Sequence, residues 1–186
     1  MDYKTFYAEL FRPLEERVGG KVDAATLMAI VGIDFGGPVS LCTIGHGRSA
    51  FVSFITCELA VRKEQKPASF GRYELMMTCN DQAWAWRLLT RLGQMSLDKP
   101  FGNGHTVDIE DLVESECQIK GLIAEKLFVV RIEDNEVGIL EFHGITQREL
   151  SFARAYGADR MFECLKQGQA YAQTDVQRRH SVALTL

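Results

Sequence analysis

The chain has 186 residues, of which 46% are hydrophobic and 25% charged, and these values exclude a disordered, collagen-like or coiled-coil protein. Its 21 basic and 25 acidic side chains give a net charge of −4, so no excess of positive charge favours sequence-independent binding of nucleic acid. The length fits one domain spanning residues 1–186.

Five cysteines are spread evenly along the chain, at positions 42, 57, 79, 117 and 164. An odd number without clustered spacing is not typical of a disulfide framework. The first residues are polar, and no apolar core of a secretory signal follows them. We therefore expect a reduced, cytoplasmic protein whose thiols are mostly buried.

Apolar side chains at intervals of three and four predict a helix over residues 3–18, kinked or divided at Pro13. Residues 24–57 carry only two charges, but glycines divide them into short apolar runs, which indicate buried strands joined by turns and argue against a membrane span. The glycine-rich segment 32–37 lacks the spacing of a phosphate-binding loop and predicts a tight turn.

Runs rich in β-branched and aromatic residues predict strands, two pairs of which are separated by short polar connections typical of hairpins. The predicted strands are residues 39–44, 50–61, 72–78, 127–132 and 137–143. No regular secondary structure is predicted for residues 98–116.

Asn80 and Asp81 are both good N-cap residues for a predicted amphipathic helix over residues 83–92. Residues 146–149 have the T-x-x-E form of a capping box and predict a helix that Gly157 ends, followed by a second helix over 159–167. Strands joined as hairpins, without regular alternation with helices, favour an α+β fold with a mixed, largely antiparallel sheet packed with helices.

No residue is assigned to catalysis, to a cofactor or to a metal ion. None of His46, His105, His143 and His180 stands at a metal-ligand spacing from another histidine, and the glycine-flanked His46 and His105 are expected to be exposed turn residues. A nucleophilic Cys–His pair is formally available, but the cysteines lie in apolar runs where a buried structural thiol is the usual role.

The strongest indication of a partner is an acidic segment, residues 98–116, which holds six acidic side chains and one basic one, a net charge of −5. A solvated loop is one interpretation, and a surface that attracts a basic protein is the other. Trp84 belongs to the apolar stripe of the helix, and Trp86, two residues away, faces another side. Packing of Trp86 on the sheet is one interpretation, and an exposed Trp86 that contacts a partner is the other. The partner-binding candidates are Asp108, Glu110, Asp111, Glu114, Glu116 and Trp86.

Several stretches, in this order and at this spacing, resemble the suppressor-of-fused-like domain over roughly residues 25–183. They are RYELMM at 72–77, the helix with Trp84 and Trp86, LEFHGITQREL at 140–150, GADRM at 157–161, and TDVQR at 174–178. The resemblance implies a domain that binds other proteins and has no known catalytic centre or cofactor. It also implies a structural ion pair between Arg178 and an acidic residue of the domain.

Animal members of this family bind a transcription-factor peptide as an added strand between two domains, and this chain is too short for the second of those domains. Short bacterial members are commonly proposed to be immunity proteins against polymorphic toxins. The resemblance therefore implies a bacterial immunity protein that binds a toxin domain, and the acidic segment indicates that this partner is basic. Nucleic acid and a membrane are not expected as partners, because of the net charge and the glycines noted above. A regulatory or scaffold module is the alternative, and a small Cys/His-dependent enzyme is a third hypothesis. The residues indicate no oligomeric state.

Overall fold

Four helices and seven strands make up the computed structural model, which describes residues 3–30, 39–132 and 135–185. The helices are α1 (Tyr3–Val18), α2 (Gln82–Asp98), α3 (Gln147–Tyr156) and α4 (Ala158–Gln167). The strands are β1 (Val22–Ile30), β2 (Val39–Gly45), β3 (Val52–Cys57), β4 (Arg72–Cys79), β5 (Thr106–Asp108), β6 (Ile119–Ile132) and β7 (Asn135–Thr146). A 3₁₀ turn, Glu110–Leu112, follows β5.

The seven strands form one mixed sheet in the order β1-β2-β3-β4-β7-β6-β5. Neighbouring strands are antiparallel except β4 and β7, which run parallel. The two predicted hairpins are the pairs β2–β3 and β6–β7, so the predicted α+β fold with a largely antiparallel sheet is confirmed.

Helix α2 covers one face of the sheet. It begins where the Asp81 carboxylate accepts a hydrogen bond from the Trp84 backbone N–H at 2.9 Å, an N-cap of the predicted kind. Its buried residues Trp84, Leu88 and Leu92 pack against side chains of β3, β4 and β7. The helix runs to Asp98, six residues beyond the predicted end.

The opposite face of the sheet carries the other three helices. Helix α1 packs Phe6, Leu10 and Leu14 onto β2, β3 and one end of β7. Helices α3 and α4 pack onto the other end of β7 and onto β6, where Ile123 and Ile145 are fully buried. Two apolar clusters therefore occupy this face, and the middle of the face lies between them.

The structure differs from the sequence prediction at further places. Helix α1 is continuous through Pro13, so the predicted division into two helices was wrong; buried apolar side chains hold the helix on both sides of that residue. Strand β3 ends at Cys57, since the next residue, Glu58, has a φ of 79° and turns the chain away. Segment 98–116 contains β5 and the 3₁₀ turn, both too short to produce a periodic sequence pattern. The turn predicted at 32–37 lies outside the described residues.

Candidate functional site

All five candidate acids of the acidic segment have exposed side chains. The Asp108 carboxylate lies 3.8 Å from Arg154 with both side chains about half exposed, and such surface pairs contribute little to stability. The Lys120 ammonium donates to the backbone carbonyl oxygen of Glu114 at 3.1 Å and does not bond its carboxylate in this arrangement. The segment therefore presents an excess of solvated negative charge.

Two surface cavities border the acidic segment. The first, of about 760 Å³, is lined by Asp98 and Asp108, by Lys99, and by the apolar side chains Met95, Pro100, Phe101 and Val107. The second, of about 900 Å³, is lined by Glu114 and Glu116 together with Arg87, Arg178 and Arg179. Apolar side chains line both cavities, but the second has three basic residues against its three acidic ones, whereas the first has two acidic residues and one lysine.

Trp86 is 40% exposed on α2, whereas Trp84 is 4% exposed in the core. This difference follows from their separation of two residues, which places them on different sides of the helix. A large aromatic side chain that is partly open to solvent can anchor a protein contact.

The thiols lie where the sequence suggested, and so does one of the two histidines whose exposure was predicted. Four of the five free cysteines are buried, and burial raises the pKa of Cys79 to about 11, which disfavours its reactive thiolate. His105 and His180 are exposed. The prediction of an exposed His46 was wrong, because its side chain is partly buried and its Nε2 lies 2.8 Å from the Ser53 hydroxyl.

Polar side chains cross the middle of the sheet between the α1 cluster and the α3–α4 cluster. The Ser53 hydroxyl on β3 lies 2.7 Å from the Thr78 hydroxyl on β4, and Thr78 donates to Glu141 Oε1 on β7 at 2.9 Å. Ser53, Thr78 and Glu141 are all buried. These residues share one face because side chains two apart along a strand point the same way and the strands are paired in register.

The row continues from β7 to β6. Glu125 and Glu141 are register partners on these strands, and His143 lies two residues beyond Glu141 on the same face. His143 Nε2 is 2.9 Å from Glu125 Oε2, and the Tyr171 hydroxyl donates to Glu125 at 2.7 Å. One potential metal-ligand atom from each of Glu125, Glu141 and His143 lies within 4.8 Å of the other two. We call these three residues the Glu–Glu–His cluster.

Burial and neighbouring groups shift the pKa values of this cluster. Burial raises the pKa of Glu141, which is 4% exposed. Burial also acts to raise the pKa of Glu125, but the hydrogen bonds with His143 and Tyr171 lower it overall. A cavity of about 240 Å³ opens beside the row and is lined by Arg17, Thr78, Glu141 and Tyr171 among others.

Sequence reasoning missed the Glu–Glu–His cluster. Its members are separated along the chain, and histidine spacing within one segment cannot detect ligands contributed by paired strands. The available signal was the alternation of Glu141 and His143 within the otherwise apolar run 137–145, together with Glu125 in the neighbouring strand β6. Recognising it required the β6–β7 register, which the sequence did not supply.

The predicted ion pair of Arg178 is present, and its partner is Glu149. Glu149 is fully buried at the start of α3, where it completes the predicted capping box with Thr146. Arg178 donates to both of its carboxylate oxygens, at 2.5 and 2.8 Å, and the Val182 N–H donates to one of them at 2.7 Å. The carboxylate thus fastens the C-terminal segment, residues 174–182, to the sheet and to α3.

Solved structures of the same architecture exist. A chain of the crystal structure of the Sufu–Fu complex has a TM-score of 0.69 and 14% sequence identity, over 95% of this chain and 91% of that chain. The crystal structure of Drosophila Suppressor of Fused gives a TM-score of 0.67 and 14% identity, over 95% of this chain and 51% of that one. This chain therefore spans about half the length of the Drosophila chain, and at this identity the likeness defines the fold.

The architecture is that of a suppressor-of-fused-like α+β domain, a type of protein-interaction module. The model of the family described as Suppressor of fused protein (SUFU) matches residues 37–179, and the chain belongs to this family. No curated protein sequence matches the chain. Within the described ranges, the helices lack the long apolar stretch that crossing a bilayer requires.

Proposed function

We propose that this chain acts as a single domain, a bacterial cytoplasmic immunity protein that binds a basic toxin domain and blocks it without catalysis. The observation that carries the proposal is the exposure of all five candidate acids along a segment that borders an apolar-lined cavity. Membership of a family of protein-interaction modules supports the binding role.

The chemistry of the first cavity suits a basic protein segment. Asp98 and Asp108 supply negative charge, while Phe101 and Val107 supply apolar surface for the stem of a lysine or arginine side chain. Charged groups outside the cavity, Glu110 and Asp111, would increase the rate at which a basic partner arrives. Fast association suits an inhibitor, because a toxin must be bound before it acts.

A regulatory or scaffold module is the second candidate, since the same surface could serve either role. The two differ in the partner, which for an immunity protein is the product of an adjacent toxin gene. The third hypothesis, a Cys/His-dependent enzyme, requires an accessible thiol with a lowered pKa. The raised pKa values of Cys57 and Cys79, both caused mainly by burial, count against those two residues as nucleophiles.

The proposal is tested by co-expressing this chain with the product of the gene adjacent to its own. Restored growth and co-purification of the two proteins are expected. A variant carrying Asp108→Lys, Asp111→Lys and Glu114→Lys should rescue poorly, whereas Glu16→Lys, Glu64→Lys and Glu163→Lys make the same change in net charge elsewhere and should rescue normally. Absence of rescue by the unaltered chain would remove the immunity role.

A further inference from the structure

The Glu–Glu–His cluster contains an electrostatic conflict. Glu125 and Glu141 oppose each other across β6 and β7 on a covered face of the sheet, and like charges placed directly opposite are destabilising. The hydroxyl groups of Thr78 and Tyr171 bond these carboxylates but carry no positive charge. Lys166 attracts Glu125 and Arg17 attracts Glu141, but among the described residues neither cation forms an ion pair with its carboxylate. Arg17 lines the neighbouring cavity and is itself exposed. A cation between the carboxylates would resolve the conflict.

The donor set matches a particular class of cation. One imidazole nitrogen and two carboxylate oxygens are ligands that Zn²⁺ accepts, whereas Ca²⁺ requires about six to eight oxygen ligands. Three protein ligands leave a further coordination position, and the cavity of about 240 Å³ that Glu141 lines provides the space for it. His143 Nε2 and Glu125 Oε2 are 2.9 Å apart, a hydrogen-bond distance. To become ligands of one tetrahedral zinc ion they would move apart by about 0.4 Å, and the ion would replace the hydrogen bond.

The surroundings hold the ligands in fixed orientations. The His143 ring stacks on Tyr171, with centroids 5.2 Å apart, and meets the edge of Phe162 at 5.7 Å. The Thr78 hydroxyl orients Glu141, and the Tyr171 hydroxyl orients Glu125. Partners that orient the ligands in this way are typical of metal centres in proteins.

We propose that Glu125, Glu141 and His143 bind one zinc ion, with an open coordination position facing the cavity beside Thr78 and Tyr171. This site goes beyond the immunity role. Zinc binding is measured on the chain alone, so the result does not depend on any toxin.

The test is calorimetric titration of the full chain with zinc chloride after treatment with a chelator, with bound zinc counted by elemental analysis after gel filtration. One ion per chain is expected. Glu141→Gln keeps the side-chain volume and an acceptor for Thr78, and should weaken zinc binding by at least about tenfold without unfolding the chain. His143→Gln should also weaken zinc binding. If His143→Gln does not fold, the result for Glu141→Gln tests the proposal.

The matched control is Glu74→Gln, which alters another buried carboxylate of the sheet and should bind zinc as the unaltered chain does. Cobalt in place of zinc should give an absorption spectrum without thiolate-to-metal charge transfer, which separates this site from the five cysteines. The proposal is overturned if the unaltered chain retains no zinc, if Glu141→Gln binds it equally well, or if the cobalt spectrum shows thiolate ligands.

Discussion

Glu74 shows how one buried residue can determine local structure and pH dependence. Its carboxylate is fully buried on β4 and accepts hydrogen bonds from the Thr56 hydroxyl at 2.7 Å and from the backbone N–H groups of Leu59 and Ala60 at 3.2 and 2.9 Å. These bonds hold the turn that follows β3. Burial outweighs them and raises the pKa of Glu74 from 4.5 to about 8.

The raised pKa predicts a fall in stability with rising pH. Between the ordinary pKa of 4.5 and the folded-state value of about 8, the folded chain holds a proton that the unfolded chain has lost. The free energy of unfolding should therefore decrease as the pH rises through this window. Urea unfolding between about pH 5 and pH 8 measures this slope, and Glu74→Gln should make it shallower.

Glu64→Gln is the matched control, because Glu64 is an exposed carboxylate near the same turn. It should leave the pH slope unchanged. Equal slopes for Glu74→Gln and the unaltered chain would mean that Glu74 is ionised in the folded protein throughout this range.

Single residues of this kind are difficult to predict from sequence. The residues at 72–78 predicted a strand but could not show that Glu74 would be enclosed, since an acidic residue at that position is equally consistent with an exposed face. The same limit applied to Glu141 and His143. Their burial depends on α1, α3 and α4 covering the second face of the sheet, and residues far apart in sequence create that cover.

At the level of elements, the C-terminal segment 174–182 is irregular but firmly attached. Arg178 has a side chain 16% exposed, and the carboxylate of its partner Glu149 is fully buried. Arg178→Ala should lower the free energy of unfolding by about 3–5 kcal/mol, because it leaves a buried charge without its partner. Arg179→Ala changes an exposed neighbour and should stay within about 0.5 kcal/mol in the same urea experiment. Similar losses for both variants would contradict this role of the ion pair.

Gly144 sets the distance between this segment and β7. Its N–H donates to the Thr174 hydroxyl at 2.8 Å, and a Cβ atom at this position would collide with the methyl carbon of Thr174 and approach Ile119 Cγ2 to 2.8 Å. Gly144→Ala should therefore cost about 1–3 kcal/mol in thermal or urea unfolding. Gly45→Ala, where the added carbon meets nothing within 4 Å, is the control and should unfold like the original chain. An unaffected Gly144→Ala variant would show that the segment can move away without loss.

Elements with strong local signals were predicted well. The capping box at Thr146, the N-cap at Asp81 and the β6–β7 hairpin each depend on a few neighbouring residues. The beginning of β6 at Ile119 and the whole of β5 were missed, because these strands are defined by pairing with distant partners and not by a local pattern. The insertion of β7 between β4 and β6 depends on the same kind of long-range pairing.

At the scale of the whole molecule, the net charge of −4 is distributed unevenly, because residues 98–116 alone carry a net charge of −5. This segment includes β5, the last strand in the sheet order, so the Asp108 carboxylate lies on an edge strand of the sheet. Charges on an edge strand also prevent pairing between sheets of different molecules. Replacing the acids by lysine keeps the edge charged. A change in partner binding can then be attributed to the reversed sign of the charge.

The most direct test of the proposed binding surface is the rate of association with the proposed partner, the product of the adjacent gene. At low ionic strength, Asp108→Lys, Asp111→Lys and Glu114→Lys together should slow association by about tenfold or more, and added salt should reduce the difference. The control reversal at Glu16, Glu64 and Glu163 should slow it much less. Equal rates for both triple variants would contradict the assignment of the acidic segment as the binding surface.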